Sequence, residues 1–260
     1  MGAEYAPAQA ALAQAALAQA ALAAIITAGG SSSRMNTGRT GGGIKKEYLP
    51  LGPDILDLDG RPLTVLGASL IAFSAFPEIK TIVITVPMDG EPAARNAIPP
   101  RFLASGGESR IRFVPGGPTR RSSVHHALSF LAAYKPDWVL IHDGARPWAD
   151  HFLIERVIAA VQKHRAVVPL LPLLETPKEI GEDGFVRRHL RRADIGAAQT
   201  PQAFAFPEIL HAHEKAAERE LRESFDYTDD AEVWGEFCGP VAVVPGSPEN
   251  RKITYPDDLL

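Results

Sequence analysis

Short apolar runs recur along the chain, and most of them end near glycine or proline. Residues 23–27 stop at a pair of glycines, and residues 81–86 are rich in β-branched side chains and stop at Pro87. Such runs are typical of buried strands in a parallel sheet. Similar runs predict further strands at residues 111–114, 138–142, 166–170 and 241–244.

Segments with helical spacing of apolar residues lie between these runs. They predict helices at residues 64–76, 122–133, 152–164 and 207–223. The alternation favours an α/β fold, with a mostly parallel sheet covered on both faces by helices. Such sheets bind ligands at the carboxyl ends of their strands. We therefore expect three segments that follow strands, 28–34, 116–123 and 143–146, to converge at one edge of the sheet.

Residues 172–195 interrupt this alternation, because they are rich in proline, glycine and arginine. A connection of this length is usually functional or disordered. We predict that it forms a β-hairpin arm that reaches a partner subunit. The alanine-rich residues 1–22 predict a tail or loosely packed helix without chemistry, which leaves residues 23–260 as one domain. Residues 250–254 are predicted to return to the sheet.

The amino-acid composition and net charge argue against some classes of binding partner. The formal net charge is −4 and 45% of the residues are hydrophobic, so the chain can bury a full core. A general nucleic-acid or anionic-membrane binder needs a basic surplus, and no apolar run is long enough to span a bilayer. The single cysteine, Cys238, excludes an intrachain disulfide framework. We expect a cytoplasmic protein that binds neither nucleic acid nor membranes.

The segment after the first predicted strand is rich in glycine and serine and ends in Arg34. Backbone N–H groups around Ala28, Gly29 and Gly30 can cradle phosphate oxygens, and the arginine adds a cationic fork. The loop lacks both the Gly-Lys-Ser/Thr of a Walker loop and the Gly-x-Gly-x-x-Gly of dinucleotide sites. A flexible turn is the alternative interpretation.

Two more strand ends supply residues suited to a nucleotide. Gly117 permits close backbone approach, whereas Ser122 or Ser123 either caps the next helix or presents its hydroxyl to a base. Asp143 is a candidate ligand of Mg²⁺, which prefers carboxylate and phosphate oxygens. Arg146 could hold a second phosphate, and a structural Asp–Arg pair is the alternative.

Lysines and later polar segments complete the set of candidates. Lys45 or Lys46 could neutralise phosphate charge, although a surface lysine is the common alternative. The segments 199–202, 227–231 and 249–254 could each be a surface feature when taken singly.

The order of these segments resembles the 2-C-methyl-D-erythritol 4-phosphate cytidylyltransferase family of the non-mevalonate isoprenoid pathway. The match covers about residues 24–260 and is specific as a set. Its motifs are a glycine-rich loop ending in Arg-Met, then Lys-x-Tyr-Leu, His-Asp-x-x-Arg-Pro, Thr-Pro-Gln, Thr-Asp-x-Ala and Asn-x-Lys-Ile-Thr. The resemblance implies a Rossmann-like nucleotidyltransferase fold, a homodimer with an interlocking arm, and Mg²⁺ as cofactor.

The resemblance also implies a role for each matching residue. The implied catalytic cations are Arg34, Lys46, Arg192 and Lys252. The implied nucleotide contacts are Ala28, Gly29, Gly30, Arg34, Lys46, Gly117, Ser123, Gly144 and Lys252. The implied contacts of the polyol phosphate are Asp143, Arg146, Thr176, Arg192 and Thr228, several of them across the dimer interface. Asp143 is also the implied metal ligand.

The implied reaction transfers CMP from CTP to 2-C-methyl-D-erythritol 4-phosphate and releases pyrophosphate. Two polyanions must meet, so the catalytic problem is charge, which arginines, lysines and Mg²⁺ address. An insertion at residues 36–44 separates Arg34 from the lysines, and this leaves Lys45 and Lys46 as alternatives. Pro118 stands where the family commonly has aspartate.

Three alternative functions compete with this one. A pentitol phosphate such as ribitol 5-phosphate could be the acceptor, because similar loops serve both substrates. A non-catalytic relative would bind nucleotide or only dimerise, but a scaffold has no reason to keep converging charges. A nicotinamide dehydrogenase is disfavoured, because the dinucleotide glycine pattern is missing.

Overall fold

One sheet, built largely from the predicted apolar runs, forms the centre of the fold. The computed structural model describes residues 21–30, 45–103, 110–223 and 225–259. The strands are β1 (Leu22–Thr27), β2 (Ile79–Val86), β3 (Ile111–Pro115), β4 (Trp138–Asp143), β5 (Ala166–Pro172), β6 (Lys178–Ile180), β7 (Val186–His189), β8 (Gly196–Ala198), β9 (Gln202–Ala205) and β10 (Ala242–Pro245).

Six α-helices accompany these strands in the described ranges: α1 (Val65–Ser74), α2 (Glu91–Asn96), α3 (Arg120–Leu131), α4 (His151–His164), α5 (Glu208–Arg222) and α6 (Asp230–Phe237). Short 3-10 helices occupy Lys46–Tyr48, Pro100–Phe102, Arg192–Asp194 and Pro256–Asp258. None of the described helices is long and apolar enough to cross a membrane.

The strands of the main sheet follow the order β10-β5-β9-β4-β1-β2-β3, and β8 pairs with β5. The pairs β1–β2, β1–β4, β2–β3 and β5–β10 are parallel. At the centre, Ile25 of β1 lies between Val83 of β2 and Ile141 of β4. The prediction of a mostly parallel α/β sheet is therefore confirmed.

The apolar pattern did not predict β9. This strand is antiparallel to both of its neighbours, β4 and β5. Its sequence, Gln-Ala-Phe-Ala, contains no β-branched residue, yet every position is buried. Burial inside the sheet, rather than local propensity, therefore accounts for this strand.

Helices cover both faces of the sheet. Alternate residues of a strand point to opposite faces. Ala24 and Ile26 of β1 therefore pack in one apolar cluster with α1 and α4, whereas Ala23 and Ile25 pack in a second cluster with α3 and α5. This burial on two sides explains why β1 is almost continuously apolar.

Helix α3 begins earlier than predicted, because Thr119 caps it. The Thr119 hydroxyl accepts the Ser122 N–H at 3.0 Å, and the Ser122 hydroxyl accepts the Thr119 N–H at 2.9 Å. This capping box replaces the cap expected from Ser122 or Ser123. Ser123 instead lies in the first helical turn, where its hydroxyl contacts the preceding loop.

Residues 250–254 form no strand, so their predicted return to the sheet is wrong. Ile253 is fully buried in a small cluster with Leu51 and Val65. Its N–H donates to the Ala145 carbonyl at 2.8 Å. The buried isoleucine therefore holds the segment against the loop that follows β4 rather than along the edge strand β10.

The arm predicted at about residues 172–195 is present as a hairpin. Strands β6 and β7 pair antiparallel in a two-stranded sheet of their own. Both of its largest apolar side chains are exposed, Ile180 by 68% and Phe185 by 74%. Contact of the arm with a partner subunit stays a prediction. So does the domain boundary at residue 22, because residues 1–20 lie outside the described ranges.

The position of β9 can be tested at Phe204, which is fully buried, with its ring centroid 5.6 Å from that of Trp234. We expect Phe204→Ala to lower the free energy of unfolding by about 3–5 kcal/mol, because it leaves a cavity. The control Phe152→Ala removes a ring that is 72% exposed, and it should cost less than about 1 kcal/mol. Urea denaturation measures both, and equal losses would contradict the central position of β9.

Candidate active site

The strand order reverses beside β1, which has β2 on one side and β4 on the other. In open α/β sheets such a reversal opens a crevice for ligands at the carboxyl ends of the strands. Backbone hydrogen bonds join the segments that border it, from Gly116 N–H to Val86 O at 2.7 Å and from Gly144 N–H to Thr27 O at 3.0 Å. The described parts of the three predicted segments do converge.

Gly144 lets two backbone segments of the crevice approach each other closely. A Cβ atom at Gly144 would lie 2.8 Å from the Thr27 carbonyl oxygen, so a side chain there requires a backbone shift. Gly29 lies opposite the Ser123 hydroxyl, with which a Cβ atom at that position would make an ordinary contact of 3.4 Å. That hydroxyl is buried and accepts the Gly117 N–H at 3.0 Å. Ser123 therefore shapes the turn that faces the glycine-rich loop.

Asp143, the last residue of β4, lies at the centre of a group of cations. Its Oδ1 is 2.9 Å from Arg120 Nε, and its Oδ2 is 2.7 Å from Lys252 Nζ and 3.8 Å from Arg146 Nε. We refer to these four residues as the Asp143 cluster. Burial alone would raise the pKa of Asp143, but Arg120 and Lys252 hold that pKa well below its ordinary value. The carboxylate stays charged, and three cations surround it.

The cluster unites predicted site residues from distant parts of the chain. Arg146 lies in the loop after β4, and its Nη1 also donates to the Asn250 carbonyl at 2.7 Å. Lys252 comes 109 residues after Asp143 and keeps 35% of its side chain exposed. Lys252 therefore has both a fixed anchor and access to solvent.

A chain of hydrogen bonds fixes the backbone around Asp143. His142 Nε2 lies 3.0 Å from the Arg146 carbonyl, which can only accept, so this nitrogen has the proton. His142 Nδ1 then accepts from the Thr200 hydroxyl at 3.1 Å, and the same hydroxyl accepts the Asp143 N–H at 3.0 Å. The chain requires a neutral imidazole, and burial lowers the pKa of His142 to about 4.

The polar segment at 199–202 is a buried connection, so the surface interpretation is wrong for it. In the segment at 249–254, Asn250 and Ile253 are buried, whereas Glu249 and Arg251 are exposed. Gln199 Nε2 donates to the Ser247 carbonyl at 2.9 Å, and its Oε1 accepts the Ser247 N–H at 3.0 Å. Asn250 Nδ2 donates to the Thr200 carbonyl at 2.7 Å. These contacts position the backbone that leads into Lys252.

Both candidate lysines lie beside the crevice. Lys45 Nζ donates to the carbonyl of Ala28 at 3.2 Å and to that of Gly30. Burial lowers the pKa of Lys45. Lys46 Nζ donates to the Ile253 carbonyl at 2.6 Å. Because each lysine contacts a segment of the crevice, the two stay alternatives for the catalytic role.

Other predicted site residues do not join this cluster. Arg34 lies within 31–44, outside the described residues. Thr176, Arg192 and Thr228 are described, and all three are exposed. The hydrogen bonds of Arg192 and Thr228 are to Leu174 and Glu232. Within the described ranges, no hydrogen bond or ion pair joins these three residues to the Asp143 cluster, and their predicted roles stay predictions.

The crevice offers one carboxylate for the predicted Mg²⁺. Both oxygens of Asp143 face cations. In the described part of the chain, no group of three or more His, Cys, Asp or Glu side chains could hold a metal. Mg²⁺ commonly binds one carboxylate together with substrate phosphates and water. Asp143 fits that limited role, whereas a dedicated metal cage does not fit.

The sequence motifs assigned no role to Arg120 or to its second partner, Asp230. Arg120 Nη2 lies 2.9 Å from Oδ2 of Asp230, whose side chain is buried. The sequence does contain an indication of these ion pairs, because the first turn of α3 has two arginines and no acidic residue. The positive end of the helix dipole disfavours cations there, so such arginines indicate acidic partners elsewhere.

A surplus of cations lies where the parallel part of the α/β sheet reverses its strand order, and such a site is suited to phosphorylated ligands. A family model described as 2-C-methyl-D-erythritol 4-phosphate cytidylyltransferase matches residues 22–260. The chain belongs to this family, so the resemblance of its motifs is confirmed.

Curated relatives agree with this membership. The "Bifunctional enzyme IspD/IspF" of Mesorhizobium japonicum is 35% identical over 237 residues, which cover 90% of this chain and 52% of the relative. The protein of the same name in Brucella abortus is 38% identical over 197 residues, which cover 75% of this chain and 48% of the relative. The chain thus spans about half the length of the curated relatives it matches.

Solved structures share the fold. The 4-diphosphocytidyl-2C-methyl-D-erythritol synthase of Anaerococcus prevotii is 30% identical with a TM-score of 0.71, and the match covers 92% of this chain and 94% of that one. The bifunctional IspDF of Campylobacter jejuni is 25% identical with a TM-score of 0.68, over 92% of this chain and 53% of that one. The predicted Rossmann-like nucleotidyltransferase fold is confirmed.

The buried, neutral His142 predicts a pH dependence of stability. Its pKa falls from 6.5 to about 4 on folding, so between these values the unfolded chain binds more protons and acid favours unfolding. The free energy of unfolding should fall by about 3 kcal/mol from this group as the pH drops from 6.5 to 4. His142→Gln should lack that part of the slope. Urea denaturation at stepped pH measures both proteins, and identical slopes would contradict a neutral buried imidazole.

Proposed function

We propose that this chain transfers CMP from CTP to 2-C-methyl-D-erythritol 4-phosphate in the cytoplasm and releases pyrophosphate. The main support is the Asp143 cluster, which gathers three cations at the crevice beside the glycine-rich loop. Membership of the cytidylyltransferase family supports the choice of the two substrates.

The proposed reaction is a displacement at phosphorus. An oxygen of the acceptor phosphate attacks the α-phosphorus of CTP, and the bond from that phosphorus to the oxygen bridging it to the β-phosphorus breaks. The acceptor phosphate is already a nucleophile at neutral pH, so no general base is required. The barrier arises from aligning two polyanions and from the charge on the pentacoordinate centre. Arginine and lysine side chains meet that requirement.

The glycine-rich loop and the turn before α3 form the proposed nucleotide side. The proposed contacts there are Ala28, Gly29, Gly30, Gly117, Ser123 and Gly144. Arg34 and Lys46 are proposed to stabilise the α-phosphate and the leaving pyrophosphate. The absence of a Cβ at Gly144 supports this assignment, because it permits close backbone approach.

Lys252 is proposed as a further catalytic cation. Its ammonium lies 2.7 Å from Asp143 while 35% of the side chain stays exposed. A partly exposed ammonium can turn towards a phosphate oxygen without opening a cavity in the core. Asp143 would keep Arg120 and Arg146 as partners during that movement, so the carboxylate would not be left unpaired.

Mg²⁺ is proposed to bind with the phosphates of CTP, with Asp143 supplying one oxygen. When bound, the ion would offset negative charge on the triphosphate. The cations of this chain then have the task of orienting the two phosphate groups.

We further propose a homodimer in which the arm of one protomer completes the site of the other. The arm exposes Leu174 by 85%, Ile180 by 68% and Phe185 by 74%, which supports a protein contact there. Thr176 and Arg192 lie within this arm, with no described hydrogen bond or ion pair to their own Asp143 cluster. Their proposed role in holding the polyol phosphate, together with Arg146 and Thr228, therefore requires a second protomer.

Pyrophosphate release tests the function. The chain is incubated with Mg²⁺ and each common nucleoside triphosphate, together with 2-C-methyl-D-erythritol 4-phosphate, ribitol 5-phosphate or no acceptor. We expect release with CTP and the methylerythritol phosphate, and a kcat/KM at least about 10-fold lower with ribitol 5-phosphate. The reverse preference would assign the pentitol alternative. Binding of CTP without turnover in every mixture would identify a non-catalytic relative.

Subunit mixing tests the shared site. Arg192→Ala and Lys46→Ala should each lower turnover by about 100-fold, because each removes a cation from the reacting phosphates. A mixture of the two dimers should recover up to about a quarter of wild-type turnover, since each hybrid dimer has one intact site. A second mixture, in which Lys45→Ala replaces Lys46→Ala, tests which of the two lysines has the catalytic role. No recovery despite demonstrated subunit exchange would indicate a site built within one chain.

A further inference from the structure

Arg120 joins two carboxylates that belong to different parts of the site. Its Nε lies 2.9 Å from Oδ1 of Asp143, and its Nη2 lies 2.9 Å from Oδ2 of Asp230. Asp143 ends strand β4, and Asp230 is the first residue of α6. We refer to this arrangement as the Arg120 bridge. It links the start of α3 to both of these elements.

The far end of the bridge is buried. Asp230 is 0% exposed, and its Oδ1 lies 3.3 Å from Nε2 of His213, which is also 0% exposed. Burial alone would raise the pKa of Asp230, but Arg120 lowers it and keeps the carboxylate ionised. A buried carboxylate has few orientations available. Arg120 is therefore held in place from the side opposite to the crevice.

The near end of the bridge controls which oxygen of Asp143 is available. Arg120 occupies Oδ1, which leaves Oδ2 for Lys252 at 2.7 Å and for Arg146 at 3.8 Å. Rotation of the carboxylate would move the anchor of both cations. A displacement of catalytic groups by about 1 Å can cost 100-fold in rate.

We propose that Arg120 is a positioning residue for phosphoryl transfer, which aligns Lys252 and Arg146 with the reacting phosphates through Asp143. Both of its described contacts are to carboxylates of the protein, so we do not assign it to substrate binding. The inference rests on the proposed function. It also ties Asp230 to the acceptor side, because Thr228 lies two residues before it in the same segment.

Kinetic constants distinguish positioning from binding. The turn that is proposed to hold CTP has hydrogen bonds of its own, from Gly116 N–H to Val86 O and from Gly117 N–H to the Ser123 hydroxyl, so we expect loss of Arg120 to affect mainly kcat. We expect Arg120→Gln to lower kcat by about 100-fold while the Kd of CTP, measured by equilibrium dialysis, changes less than about threefold. Arg120→Lys should recover only part of the loss, because an ammonium cannot span both carboxylates.

The neighbouring Arg121 offers a matched control. It lies in the same helical turn and is 8% exposed, but its Nε pairs with Glu220 at 2.6 Å and its Nη1 donates to the His213 carbonyl at 3.3 Å, so neither described contact is to Asp143 or to the Asp230 carboxylate. Arg121→Gln removes the same charge and a comparable ion pair. Its kcat should stay within about threefold of the wild-type value.

A double variant covers the case in which Arg120→Gln does not fold. Asp230→Asn removes the buried charge that Arg120 neutralises, so Arg120→Gln/Asp230→Asn should fold even where the single variant is unstable. Asp230→Asn alone should lower kcat by about 10-fold. Because the two residues act as one unit, the double variant should be no slower than Arg120→Gln.

The outcomes separate the two proposals. Wild-type protein that releases no pyrophosphate with any acceptor would overturn the proposed function, and the inference with it. Active wild-type protein whose Arg120→Gln and double variants both match Arg121→Gln in kcat would overturn the inference alone. So would a rise in the Kd of CTP that accounts for the whole loss of kcat/KM, because Arg120 would then bind the nucleotide.

Discussion

The buried carboxylate of Asp143 is the interaction on which the candidate site depends. Arg120, Arg146 and Lys252 all approach it, and these cations would repel one another without a negative charge between them. The carboxylate in turn could not be buried without them, because an unpaired charge at the end of β4 would be strongly unfavourable. The anion and its cations are therefore mutually required. The same arrangement leaves positive charge at the crevice, where a triphosphate and a second phosphate would have to meet.

Buried hydrogen bonds fix the backbone that holds the Asp143 cluster. The hydroxyl of Thr200 bonds the Asp143 N–H and the neutral His142 ring, while Asn250 bonds the Thr200 carbonyl. The short antiparallel strand β9 brings Thr200 to this place, since it inserts between β4 and β5. A loop alone would allow the cations more freedom. The hydrogen bonds convert the ends of several strands into one preorganised surface, as catalysis by charge requires.

Local pattern predicted most of the fold. Strands β1, β2 and β5 are apolar because helices cover both sides of the sheet, and that requirement is visible in any buried parallel strand. The hairpin arm was also predictable, because its proline and glycine residues interrupt the alternation. Strand β9 could not be predicted in this way, since its four residues become a strand only when β4 and β5 supply hydrogen-bond partners. The prediction that residues 250–254 return to the sheet was wrong for a similar reason, because the burial of Ile253 depends on its contacts with Leu51 and Val65.

By itself, the sequence determined the α/β class and the convergence of three strand ends, and its motifs singled out Asp143, Arg146 and Lys252 as candidate site residues, because motifs and periodicity are local properties. Only the tertiary structure placed Arg120 between Asp143, which is 23 residues away, and Asp230 on another helix. Charges that pair across such distances leave no periodic trace in the chain. Their partners are decided by which elements the folded sheet brings within about 3–4 Å, the range over which an ion pair offsets its desolvation.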